Sequence, residues 1–498
     1  MKEIISKLKT TTISKSYMFI LFGVTTLMLT GYFSYAWFTV QGVQQYSVVT
    51  GTLNGTIAIG TTSVAINGQG VITYTPTTDN DTITLTVTNT NDRTVKNSIY
   101  YYNLSDTSIE IGYTSDSPTV PSTQGVSVAQ GNTLTYKIKI KNAKGKQIKI
   151  GSSMGLNNSN LTLPSGTTAF SLLSEPPATE VLVAKANPET LDYNNATTDQ
   201  KNQMWAFTHE ATEQLKATTD YRYIGANPNN YVKFNDELWR IIGVFDTDDG
   251  TGKLEKRLKI IRNGSIGAFA WDNKDNSTGA ESIYGKNNWT DARLNYLLND
   301  GHDSETYGGS LYWNRKSGTC YRGYNNATAS CDFTATGLTA AAKEMIGDAK
   351  WYLGGSSTDN DVTAPMFYTR ERGTTVYSGR STSWIGKVGL MYPSDYGYAT
   401  SGDSTTSRTT CLAEEMFSWY DASSCYKNDW LFKSSYMWTI SSGSSAGNFV
   451  FSIYNSGREI ISDARNGYGV WPVTYLKSTI NITSGTGSST DPFILAQS

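Results

Sequence analysis

The chain has 498 residues, with 41 Lys or Arg against 43 Asp or Glu and a formal net charge of −2. That balance gives no field for holding nucleic acid, and 17% charged with 12% aromatic residues excludes a disordered polyelectrolyte. Only two histidines, His209 and His302, are present, which counts against the hydrolytic and metal-dependent chemistries that lean on His.

Lys2, Lys7, Lys9 and Lys15 precede an uncharged apolar run, Tyr17 to Phe38. At 1.5 Å per residue the run is about long enough for a hydrocarbon core of roughly 30 Å. The lysines predict a cytoplasmic N-terminus and a remainder on the extracellular face of the membrane. Segment 1–38 is expected to be either a single-pass anchor through residues 17–38 or a signal peptide cut near Ala36. Ser34 and Ala36 supply the small residues such a cut requires.

Residues 39–170 are expected to form a β-sandwich of immunoglobulin-like type. Thr82 to Thr88 and Leu134 to Lys141 alternate polar and apolar residues, the period of a half-buried strand. Ile83, Leu85, Val87, Tyr136, Ile138 and Ile140 should face the core. Turns are predicted at Asn67–Gly70, Asn89–Asp92, Gln130–Asn132 and Ala143–Lys146. Lys137, Lys139, Lys141, Lys144, Lys146 and Lys149 form a basic stripe, read as the solvated face of a hairpin.

Residues 171–219 read as a connector with a short helix. The spacing of Met204, Phe207, Ala211 and Leu215 predicts that helix over Thr198 to Lys216. Within it, His209-Glu210-Ala211-Thr212-Glu213 approaches the zinc-protease pattern, but the second His is absent and no metal site follows.

From about residue 220 to 498 Trp and Tyr become dense. Tyr231 to Val244 reads as two strands around a turn at Asn235-Asp236, and Leu258 to Arg262 as another strand. The acidic loop Asp246 to Gly252 lacks the ligand spacing of a calcium hand and reads as a hairpin turn. Helices are predicted near Thr290–Leu298 and Thr339–Trp351. Cys320/Cys331 and Cys411/Cys425 are near pairs, expected as local disulfides of an exported chain, although four cysteines allow three pairings.

Three stretches of this region are distinctive together. They are Tyr231 to Val244, Val388 to Ala399 with its Tyr392-Pro393-Ser394-Asp395-Tyr396, and the ending Met437 to Ser441, Gly469 to Lys477 and Ser484 to Gly487. They resemble a family of exported proteins of gut Gram-positive bacteria. That family is similar to the C-type-lectin-like fold in its formylglycine-generating-enzyme branch. The resemblance implies a mainly β chain with an α+β C-terminal domain of that fold over 220–498. The family ends in Gly-Val-Arg-Pro-Val, whereas Trp471 stands here in place of the Arg. The N-terminal half, through Ala36-Trp37-Phe38-Thr39, more weakly resembles exported β-sandwich proteins of biofilm fibres.

The enzyme branch needs a reactive cysteine pair, and all four cysteines here fall in local pairs, so no oxidase is expected. The calcium-lectin motif is missing; Asn227-Pro228-Asn229 is the nearest match and lies at the start of the domain. Neither cofactor nor metal is expected. The resemblance places two turns, Tyr454 to Arg458 and Arg465 to Tyr468, on or near the ligand face. The candidate ligand-binding residues are Trp438, Tyr454, Asn455, Arg458, Arg465, Asn466, Tyr468 and Trp471. The expected function is a non-catalytic surface adhesin whose partner is a glycan or a host or envelope protein. A structural fibre component and a glycan- or wall-active hydrolase are the alternatives. For the hydrolase, Glu414-Glu415 and Asp246, Asp248 and Asp249 are the only tight acidic clusters, and adjacent carboxylates do not face each other across a substrate.

Overall fold

The computed structural model describes residues 53–173, 175–273, 284–322 and 327–497. Segment 1–38, with its expected anchor or signal, lies outside the described residues. Among those described, no helix is long and apolar enough to cross a membrane. The protein is mainly β and divides into two compact units, Met1–Leu173 and Ser174–Ser498.

The first unit is one 11-stranded sheet, a path of ten strands with Val126–Val128 paired beside it, antiparallel except where Ser171–Leu172 joins Glu110–Tyr113. The alternating segments are strands Asn80–Asn89 and Thr133–Lys141, and they pair in the register that sets Ile83 opposite Ile138 and Leu85 opposite Tyr136. All six residues expected to face inward are at most 5% exposed. Burying each such side chain contributes roughly 1.5–3 kcal/mol. Val95 and Ile99 from one end of the path share a core with Ile111 from the other, so the sheet closes over itself. Gly68, Gly131 and Gly145 take positive φ at the predicted turns. The basic stripe meets expectation except at one position. Lys139 is buried at 6% exposure, while Lys137 pairs with Asp116 and Lys146 with Asp106. Lys144, Lys146 and Lys149 are exposed, as a solvated face requires.

The second unit holds a nine-stranded sheet centred on Glu237–Thr247 and Glu255–Arg262, and a five-stranded sheet. The order in the latter is Ala268–Phe269, Tyr468–Gly469, Met437–Ser442, Phe449–Ile453 and Glu459–Asp463. The predicted turn at Asn235-Asp236 is present, with both residues at positive φ. The acidic loop is also a hairpin turn, in which Asp248 and Asp249 accept bonds from the N–H groups of Gly250 and Thr251. The cysteines pair locally, Cys320 with Cys331 and Cys411 with Cys425.

Two predicted helices are corrected. The chain from 198 is helical only over Thr198–Lys201, closed by a capping box between Thr197 and Gln200. It then becomes strand Trp205–His209, antiparallel to Thr218–Arg222. Trp205, Phe207 and His209 face inward at period two, which outcompetes the helical spacing that shares Phe207. The stretch read as a connector thus contributes Ala178, Leu182, Trp205 and Phe207 to the core of the second unit. The helix expected to Trp351 ends at Met345. Ile346 leaves it to bridge Leu476, and Ala349–Tyr352 pairs with Ser383–Gly386. Helix Arg293–Leu298 is as predicted, with Leu294, Leu297 and Leu298 buried.

Candidate functional site

The run Tyr392-Pro393-Ser394-Asp395 starts a buried helix, Pro393–Ala399. Pro393 suits the first turn because its missing N–H has no helical partner there. Asp395 accepts the Tyr392 N–H at 2.9 Å, an Arg222 N–H at 3.0 Å and a bond from Lys259. Arg222 also donates to Asp220 at 2.8 Å, and the His209 ring lies 3.3 Å from the same carboxylate. Beside them Arg372 pairs with Glu371 at 3.0 Å and lies 3.6 Å over the Tyr368 ring. Glu371 accepts bonds from the N–H and hydroxyl of Ser394.

Three cations, Arg222, Lys259 and Arg372, thus meet three carboxyl groups, Asp220, Asp395 and Glu371, all buried. Burial works against the charge of Asp395, yet Lys259 and Arg222 hold its carboxyl below the usual range. Burial pushes Glu371 up to about 7 and Lys259 down to about 8. Perturbed groups of this kind occur both at active sites and in structural networks. Here Tyr392, Phe245, Trp351 and Tyr475 surround the Lys259 ammonium. The cluster is buried and ties together elements far apart in the chain.

One of those elements leads to the surface. Tyr396, on the same helix, donates its hydroxyl to the Gly457 carbonyl at 2.7 Å. Gly457 closes the turn after Phe449–Ile453 at a φ of +87°, and a Cβ there would lie 2.2 Å from the Tyr426 ring. Only glycine fits. The turn presents Tyr454, Asn455 and Arg458 next to the strand Tyr468–Gly469.

Around it lies a platform of rings. Tyr436 stacks on Tyr468 with centroids 5.1 Å apart and meets Tyr454 edge-on at 4.6 Å. The Tyr468 hydroxyl lies 3.3 Å from that of Tyr454 and accepts from the Asn466 amide at 3.2 Å. Arg458 sits 5.2 Å from Tyr454, 5.3 Å from Phe417 and 5.7 Å from Tyr420. Tyr436 and Tyr420 are 39% and 45% exposed.

Of the candidates from sequence, Tyr454, Asn455, Arg458, Asn466 and Tyr468 come together here. Trp438 and Trp471 do not reach the surface. Trp438 donates its indole N–H to the Phe269 carbonyl and supports Tyr468 from beneath, and Trp471 packs on Gly469. Arg465 turns to Tyr284 and Asp463. Sequence reasoning missed Tyr436, Tyr420 and Phe417, which stand outside the two turns. The alternation of Tyr436 with the inward Met437 was the available signal for the first. His209 and Glu213, compared above with a zinc motif, are on a strand end and in a loop, where Glu213 accepts the Thr374 N–H. Among the described residues no group of three His, Cys, Asp or Glu side chains is placed to hold a metal. Of the acidic clusters, Asp246 is taken up by Lys256 and Thr218.

No protein-family model matches this chain, and neither a curated protein nor a solved structure matches it.

Proposed function

We propose that this is a non-catalytic binding protein of a Gram-positive cell surface. Residues 1–38 tether it to the membrane or direct its export. An immunoglobulin-like sandwich then serves as spacer for a C-type-lectin-like head, as the resemblance implies. The observation that carries the reading is the platform of Tyr436, Tyr454 and Tyr468 with Arg458 beside it. Exposed Tyr rings offer a large rigid contact area at low entropic cost, and their hydroxyls with Asn455 and Asn466 offer hydrogen bonds. Binding there is stacking plus hydrogen bonding on a preformed surface, with no covalent chemistry.

The test is a glycan and matrix-protein array probed with the full chain in a non-glycosidic detergent. Selective binding is expected, and Tyr436→Ala with Tyr454→Ala should weaken it at least about tenfold, since each stacking contact contributes roughly 0.5–1.5 kcal/mol beyond its buried area. Binding that ignores both substitutions would place the ligand elsewhere.

A further inference from the structure

Arg458 is a cation without an anion. Its guanidinium faces the rings of Phe417, Tyr420 and Tyr454. Its Nε is buried with no hydrogen-bond partner, and among the described residues no carboxylate lies within ion-pair distance of it. The next residue, Glu459, does not compensate. Its side chain is fully buried, its pKa is pushed well above the usual range by burial, and Asp359 and Glu371 push it further. Lys427 adds a second cation, this one exposed, beside the Tyr426 ring that packs on Gly457, whereas Arg458 is half-buried. Asp421 is exposed next to Tyr420 in sequence but makes no ion pair with Arg458.

The surroundings discriminate between classes of anionic ligand. An extended acidic peptide would add to a free sheet edge through backbone bonds. The adjacent edge strand is Glu459–Asp463, and the Asp359 carboxylate already accepts its Ile461 N–H at 3.2 Å. The platform instead offers ring faces rimmed by Tyr hydroxyls and Asn amides, which suit a polyhydroxylated ring. An Arg fork matches a carboxylate geometrically, with two parallel N–H···O bonds.

Resting on the reading of the platform as a binding surface, we propose that its ligand is an acidic saccharide. The pyranose ring lies on Tyr436 or Tyr420, and its carboxylate pairs with Arg458.

The experiment uses the immobilised full chain and three forms of one polymer: oligogalacturonate, its methyl ester and its carboxyl-reduced counterpart. The ring persists in all three and the charge only in the first. The acidic form should bind at least about tenfold more tightly than the other two, as befits a charged hydrogen bond. Arg458→Gln should erase that preference while leaving the neutral forms' residual binding in place. Equal affinity for the three forms by the unaltered chain overturns the acidic ligand but leaves the platform standing, and does so even if the variant fails to fold. A preference for phosphate-bearing polymers or acidic peptides over all three also overturns it. Acidic binding that survives Tyr420→Ala together with Tyr436→Ala and Tyr454→Ala overturns the platform itself.

Discussion

At the scale of single residues, Glu459 is the sharpest case. Both of its carboxyl oxygens are buried without a hydrogen-bond partner, and an unpaired buried carboxylate is too costly to persist as an ion. The folded state therefore keeps the proton, while the unfolded chain loses it near pH 4.5. A raised folded pKa contributes stability that is present below the unfolded value and lost as pH rises. Glu459→Gln keeps the shape and the neutrality. Wild type and variant should match within about 1 kcal/mol below pH 4.5, and the variant should gain up to about 1.4 kcal/mol per pH unit above it until the folded pKa is reached. Urea denaturation across pH 4 to 8 reads this directly, and parallel curves would mean that the carboxylate is ionised and partnered. The buried carboxyls Asp220 and Asp395 run the other way. Their lowered pKa values place their loss of stability in acid, below the carboxylate range.

At the scale of elements, the Cys411–Cys425 bond ties helix Arg408–Ala413 to helix Ser423–Lys427. Between them runs the turn Met416–Tyr420, which supplies Phe417 and Tyr420 to the wall beside Arg458. Replacing both cysteines with Ala releases a loop of about 15 residues, which costs about 3 kcal/mol by loop closure. The same change should weaken ligand binding several-fold by loosening that wall. Removing Cys320 and Cys331 should cost similar stability and leave binding unchanged, since their hairpin, Ser317–Tyr321 with Thr328–Asp332, supplies none of the platform's rings. Affinity and melting temperature measured on both double variants separate the two effects. Equal loss of binding in both would show that the bond acts through global stability alone.

The same elements show what was legible in the sequence. Period-two strands such as Thr82 to Thr88 declare their inward face because each residue's side is fixed by its neighbour. Turns at Asn-Gly and Ser-Gly are local chemistry, so the two loops of the platform were found. Its other members were not, because Tyr420 and Tyr436 reach the turn only through tertiary packing. The ion cluster was equally hidden. Asp220, Lys259, Glu371 and Asp395 are far apart in sequence, and a lone Lys in a strand gives no sign that a carboxylate waits in the core. The segment around Phe207 failed differently. Helical and strand spacings both fit it, and the partner strand Thr218–Arg222 decided.

At the scale of the whole molecule, each unit has its own apolar core. One runs through Ile57, Leu85, Tyr136 and Ile150, the other through Trp239, Ile260, Trp351 and Leu390, and no residue belongs to both. Cores that share no side chain need not melt together, because cooperativity is carried by packing contacts that fail as a set. The full chain should therefore show two calorimetric transitions. Leu85 is fully buried in the first core, so Leu85→Ala should cost roughly 2–5 kcal/mol there and lower only one transition. Ile260→Ala should lower only the other, as should the removal of Cys411 and Cys425. A single transition that both core substitutions lower would instead show the two units stabilising each other through contacts outside their cores. On the proposed reading of the first unit as a spacer, independent melting matters for binding: a local failure in that unit would leave the geometry of Tyr436, Tyr454 and Arg458 intact.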